Sequence, residues 1–249
     1  MQATNSPIPL KPILTAIACI GLASCHAGST PQATSVVPTA RGGIECIRIT
    51  PASGARHRMI LAHGFLRDAT TMEHLATALA RHGVETLCPN LRRSRPWDGK
   101  ADDNARDLVA LRKSLGWDRV IYAGYSAGGL SALLAAAHDP SACEGLLLFD
   151  PVDRASAGLR VANQIHAPVV ALLADPGPGN ARGNAGPMLA ALAHCRRVQI
   201  PGASHCDFEA NPAAACYLMT GDKINPDRVT EVHAKMLTTA KRLLDNLAD

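Results

Sequence analysis

The stretch Val120-Ile121-Tyr122-Ala123-Gly124-Tyr125-Ser126-Ala127-Gly128-Gly129 decides how this chain is read. It begins as an apolar run of strand length, and residues 130–137 continue as aliphatic, helix-forming sequence. Between the two lies Gly-x-Ser-x-Gly. A strand that breaks there and passes straight into a helix holds its serine in a strained backbone conformation, with Oγ exposed above the strand's carboxyl end. Gly124 and Gly128 suit a point where strand and helix backbones approach too closely for a Cβ. The five-residue pattern alone is common by chance. The strand before it and the helix after it give it meaning.

Outward from this turn, the chain from Gly43 onward alternates strand and helix patterns. Strands are expected over 44–50, 58–62, 84–88, from 120 to the Gly-x-Ser-x-Gly turn, 145–149, 168–174 and 197–200. Helices are expected after a cap at Asp68 or Thr70 up to Gly83, over 102–115 with Gly116 as the stop, over 130–137, and over 227–247. Such alternation implies right-handed crossovers, hence an α/β fold with a mostly parallel central sheet flanked by helices on both faces. A chain of 249 residues suits one such domain. Ligands of these sheets bind beyond the carboxyl ends of the strands.

A serine hydroxyl attacks an acyl carbon at neutral pH only when a base takes its proton. Ten histidines are available. His138, His166 and His194 fall at helix ends or beside strand starts, on the wrong edge of the sheet. His74, His82 and His233 sit on helices and read as solvated. His63 follows a strand, in His63-Gly64-Phe65. His205 stands in the loop after the last strand, where a short segment can bring an imidazole over Ser126. The acid that orients the imidazole must share the same edge, where Asp150, Asp153 and Asp175 all stand.

The ordered set His63-Gly64-Phe65, Gly-Tyr-Ser126-Ala-Gly, Asp150 and His205 resembles the α/β-hydrolase superfamily over everything after residue 43. The small, lidless layout is similar to the branch of chlorophyllases, platelet-activating-factor acetylhydrolases, dienelactone hydrolases and cutinase-like polyester hydrolases. The resemblance implies Ser126 as nucleophile, His205 as base and a structural role for His63. Phe149-Asp150-Pro151-Val152-Asp153 resembles the chlorophyllase version of the acid. In the later-strand pattern the acid lies slightly beyond Asp175, where this chain has Gly177 and Pro178. Asp150 is therefore favoured over Asp175, with Asp153 third. The oxyanion hole is expected from the Ala127 N–H at the start of the helix and, by the resemblance, from the Phe65 N–H, with the Phe65 ring lining the acyl pocket. The glycine-rich segment 176–184 reads as a flexible rim.

The implied activity is hydrolysis of a small-molecule or lipid-like carboxylic ester through an acyl-serine intermediate. An amidase or thioesterase would use the same triad, and a non-catalytic binding module could keep the fold. No cofactor is implied. No metal is expected either, since His205-Cys206-Asp207 has no second cluster to complete a site. Net charge is +4 and the basic residues are dispersed. Arg92, Arg93 and Arg95, without aromatic partners, read as a solvated loop, so nucleic acid is not an expected partner.

At the amino terminus, Lys11 precedes an apolar run over 12–22, too short to span a membrane. It ends in Leu22-Ala23-Ser24-Cys25, which resembles the lipobox of bacterial lipoproteins. That resemblance implies a signal peptide over 1–24, lipid on Cys25, a flexible Ser/Thr/Pro/Ala-rich tether over 25–42 and a catalytic domain over 43–249. Location at the cell envelope follows, with membrane contact only through the lipid. An ordinary secretory signal, giving a secreted or periplasmic chain, is the alternative. Of the eight cysteines, Cys46, Cys88, Cys143, Cys195, Cys206 and Cys216 remain, and an even count in an exported chain favours disulfides. Cys206 and Cys216, close in sequence and flanking the loop after His205, are the first expected pair.

Overall fold

The computed structural model describes residues 32–91 and 100–248. In chain order its elements are β1 (Gln32–Thr39), β2 (Gly42–Ile49), β3 (His57–Ala62), α1 (Glu73–Ala80), β4 (Val84–Pro89), α2 (Ala101–Ser114), β5 (Val120–Tyr125), α3 (Ala127–His138), β6 (Cys143–Phe149), β7 (Val169–Leu173), α4 (Gly186–Ala191), β8 (Cys195–Gln199), α5 (Ala214–Thr220) and α6 (Pro226–Ala248). The strands form one sheet in the order β1-β2-β4-β3-β5-β6-β7-β8. Strands β3 to β8 are parallel, and β1 and β2 pair antiparallel at one side. This is the expected α/β architecture.

Side-chain alternation along buried parallel strands supplies both helical layers with a floor. In β5, Ile121, Ala123 and Tyr125 face one core shared with α1 and α6, while Val120 and Tyr122 face the other, shared with α2 and α3. Helix α6 follows the same logic at helical spacing: Val232, Met236, Ala240 and Leu243 are buried in register. Burying each large aliphatic side chain contributes about 1.5–3 kcal/mol, which seats a helix whose other face is polar. Gly116 takes φ +63° just after α2 and ends it as expected. No helix among the described residues is long and apolar enough to cross a membrane.

Three expectations change. The tether read over 25–42 contains a strand: β1 pairs with β2 from Gln32↔Ile49 to Thr39↔Gly42, so the folded part begins before residue 43. Nearly all of β1 is exposed, with only Val37 buried. An edge strand held by backbone hydrogen bonds needs no apolar alternation, and it tolerates Pro38. Arg41, in the turn of the hairpin, is tied to α2 by Asp107 at 2.6 Å. Short helices α4 and α5 were not expected at all. Among the described cysteines only Cys206 and Cys216 are bridged; Cys46, Cys88 and Cys143 are free, buried thiols, and Cys195 is a free, half-buried one. Burial pushes the Cys46 thiol up to about 12, so these side chains act as small apolar groups. The signal peptide, Cys25 and the Arg92, Arg93 and Arg95 cluster lie outside the described residues.

Candidate active site

Strand β5 ends at Tyr125, and Ser126 turns the chain into α3 with φ +56° and ψ −121°. That conformation costs a non-glycine residue about 1–3 kcal/mol. The surroundings enforce it: the Ser126 N–H donates to the Phe149 carbonyl at 2.9 Å, and the Ser126 carbonyl accepts from Gly129 N–H at 3.0 Å. A Cβ on Gly124 would lie 2.3 Å from the Gly128 carbonyl oxygen, and one on Gly128 would lie 2.3 Å from that of His63. The glycines of the motif are therefore required by backbone contact between β3, β5 and α3.

Above this turn, His205 Nε2 lies 2.9 Å from Ser126 Oγ. Its Nδ1 lies 2.5 Å from Asp150 Oδ2. With Nδ1–H donating to the carboxylate, Nε2 is free to accept the serine proton, which is the arrangement that activates a serine. Asp150 terminates β6 with φ +40°, and its Oδ1 also accepts from Ala174 N–H at 3.0 Å. The other acids have different occupations. Asp153 accepts from Gly158 and Leu159 N–H and organises its own turn. Asp175 accepts from Gln199 Nε2 and from Gly202 N–H, joining the ends of β7 and β8. Among the other histidines, His138 pairs with Asp102, and His74 stacks on His233.

His63 is buried beneath the loop that follows β3. Its Nδ1–H donates to the Gly64 carbonyl at 2.7 Å and its Nε2 accepts from Leu91 N–H at 3.0 Å. This fixes the neutral tautomer, and burial holds its proton affinity below that of an ordinary imidazole. The loop it braces carries Phe65, whose backbone N–H and that of Ala127 are the donors expected to face an oxyanion. Phe65, Leu66, Pro178, Gly179 and Met219 line a cavity of about 230 Å³ that opens onto Ser126 and His205. Phe65 is 39% exposed, Leu66 55% and Met219 66%, so the mouth is apolar and open.

Residues not singled out in the sequence complete the setting. Tyr125 is buried, its hydroxyl donates to the His205 carbonyl at 2.9 Å, and the two rings are 4.9 Å apart. Burial, with Glu209 nearby, pushes its phenol well above the ordinary range, so it stays a neutral donor. Arg67 Nε meets Glu209 Oε1 at 2.7 Å, tying the loop after β3 to the loop of His205. Asp207 accepts from Ser204 N–H and the Tyr217 hydroxyl and pairs with Arg228 of α6, clamping the turn that carries His205. Asn180 reaches Asp150 from the segment 176–184. That segment borders the cavity through Pro178 and Gly179, as expected of a rim, and this side chain ties it to Asp150. A serine-flanking tyrosine is visible in the motif, but nothing in the spacing marks Asn180, which lies 30 residues from its partner.

Residues 58–167 match the family model described as the alpha/beta hydrolase fold. No curated protein matches the chain by sequence. Among solved structures, the dienelactone hydrolase from Anabaena variabilis aligns at TM-score 0.66 and 20% identity, over 86% of this chain and 98% of its own. Est1E from Butyrivibrio proteoclasticus aligns at TM-score 0.62 and 15% identity, over 85% and 99%. A thermophilic esterase from Thermogutta terrifontis aligns at TM-score 0.57 and 17% identity, over 84% and 98%. The family match spans the strands and the turn that bear Ser126 and Asp150, the structural likeness runs through the remainder, and the chain accordingly has the α/β-hydrolase fold.

Proposed function

We propose that this protein is a serine hydrolase that cleaves carboxylic esters through an acyl intermediate on Ser126. The observation that carries the reading is the unbroken hydrogen-bond chain from Ser126 Oγ through His205 to Asp150 at the floor of an open cavity. On this reading His205 Nε2 takes the hydroxyl proton as Oγ attacks the ester carbonyl, and Asp150 stabilises the imidazolium that forms. The Phe65 and Ala127 N–H groups receive the oxyanion. His205 then returns its proton to the leaving alcohol, and a water activated by the same nitrogen hydrolyses the acyl-serine. An apolar, open mouth without a covering domain favours esters with accessible acyl groups, and the names of the similar structures, a dienelactone hydrolase and esterases, support an ester over an amide. No metal or cofactor enters this chemistry.

The test is direct. A fluorophosphonate probe should label the wild type at Ser126, and Ser126→Ala and His205→Ala should each lose about 10³-fold or more in turnover of p-nitrophenyl acetate, with the double variant little worse because the groups act as one unit. A folded Ser126→Ala variant that keeps several per cent of wild-type turnover would end the reading. We further propose that the chain resides at the cell envelope, held by lipid on Cys25.

A further inference from the structure

We infer that Asn180 is a positioning residue of the triad, holding the Asp150 carboxylate in the orientation that His205 requires. The inference rests on the proposed ester hydrolysis at Ser126 and concerns a residue in the segment 176–184, outside the motifs that identify the site. Asn180 ends a turn, Pro178–Asn180, and is 1% exposed. Its Nδ2 lies 3.2 Å from Asp150 Oδ1 and 3.1 Å from Oδ2, and 3.0 Å from the Asp175 carbonyl. Its Oδ1 accepts from Gly177 N–H at 2.9 Å and from Gly183 N–H at 3.0 Å. The amide orientation follows from these partners: reversing it would set oxygen against a carboxylate and a carbonyl, and nitrogen against two N–H donors.

The two ends of this side chain do different work. The oxygen closes the segment on itself. One amide hydrogen goes to the Asp175 carbonyl and the other straddles the two oxygens of Asp150. A carboxylate at the end of a strand, in a left-handed conformation, can rotate about its own bonds; a donor bridging both oxygens, with Ala174 N–H on Oδ1, leaves Oδ2 aimed at the imidazole. The same turn touches His205 from the side, since a Cβ on Gly179 would lie 2.7 Å from His205 Cβ. Acid and base are thus set by one turn. Asn180 also shares the negative charge of Asp150, which weakens the carboxylate's pull on the imidazolium. Removing the amide should leave Asp150 less well aimed but its charge less neutralised.

The experiment uses the full chain and reads both p-nitrophenyl acetate turnover and the rate of fluorophosphonate labelling across pH. A lost hydrogen bond to a charged group corresponds to roughly 10- to 100-fold. Asn180→Ala should lower kcat and the labelling rate by that factor with KM within about twofold, because Asn180 does not line the cavity. The acid limb of the labelling profile should shift, because both the aim and the charge of Asp150 set how the imidazolium is held. Asn180→Asp keeps the oxygen that receives Gly177 and Gly183 N–H but removes the donor. It also sets a second carboxylate oxygen against Asp150 and the Asp175 carbonyl, so at neutral pH it should recover none of the turnover lost in Asn180→Ala. Wild-type turnover in Asn180→Asp would overturn the inference. So would an Asn180→Ala variant whose pH profile superimposes on wild type and whose defect lies in KM or melting temperature alone. If Ser126→Ala and His205→Ala are dead while Asn180→Ala is unimpaired, only this inference fails; if they remain active, the hydrolase reading itself fails.

Discussion

Asp150, Asp153 and Asp175 all follow strands at the same edge of the sheet, and what distinguishes them is what their oxygens already hold. Asp153 accepts from backbone N–H groups of its own turn and Asp175 from Gln199 Nε2 and Gly202 N–H at the end of the neighbouring strand, whereas Asp150 accepts from His205 Nδ1. Asp150→Asn presents the imidazole with an amide in place of a carboxylate, which favours the wrong tautomer and removes the charge that stabilises the imidazolium. Turnover of p-nitrophenyl acetate should fall about 10⁴-fold. Asp175→Asn should change it only a few-fold, because its role is to join two strand ends. The reverse ranking would transfer the acid to the end of β7. Ser126 and His205 were legible in the sequence because each is marked by its place after a strand. Asn180 was not, and Tyr125 was legible only as a letter of the motif, because the role of a buried amide or phenol is identified by the partner it meets.

Helix α5 is one of the elements that the sequence concealed, and it carries part of the cavity wall. It buries only Cys216 and Tyr217, leaving Leu218 and Met219 exposed, so packing alone seats it weakly. The bridge from Cys216 to Cys206, ten residues apart, fastens it to the turn that begins at His205. The Tyr217 hydroxyl adds a 2.8 Å bond to Asp207 in that same turn. Closing a loop of this length contributes about 2–3 kcal/mol through the unfolded chain, equivalent to a melting-temperature change of roughly 5–10 °C in a protein of this size. Reduction under native conditions should lower the melting temperature by that amount and reduce turnover. Replacing both Cys206 and Cys216 with alanine should reproduce each effect without reductant. An unchanged melting temperature and turnover after complete reduction, verified by mass, would show that the turn holds itself. The cysteine count suggested more bridges, but a buried thiol and half a disulfide look alike in a sequence.

At the scale of the whole molecule, the two edges of the sheet have different tasks. Ser126, Asp150 and His205 stand at the carboxyl edge of the parallel strands, whereas Gln32 pairs with Ile49, and Ile49 with Thr86, toward the opposite edge. Cys25 precedes Gln32 by seven residues, a stretch that spans at most ~25 Å when extended. On the proposed lipid anchor, the chain therefore enters the sheet away from the edge that bears Ser126. The mature chain should partition into detergent, carry a mass increment on Cys25 and lose both in Cys25→Ala. Its turnover of a water-soluble ester on vesicles should match that of a chain begun just before Gln32 within about twofold, by comparison of the two forms at equal concentration. An unmodified terminus beyond residue 25 would reject the anchor. By itself the sequence determined the order of the strands from β2 onward and of the longer helices, and the strand ends where Ser126, Asp150 and His205 stand, because apolar period, chain breaks and the Gly-x-Ser-x-Gly spacing are local properties. Only the tertiary structure decided that Asp150 rather than its neighbours faces His205 across 55 residues, that Asn180 supports it, that β1 joins the sheet and that a single pair of the described cysteines bridges. Each of those depends on which distant backbone segments pack together, and no local pattern encodes that.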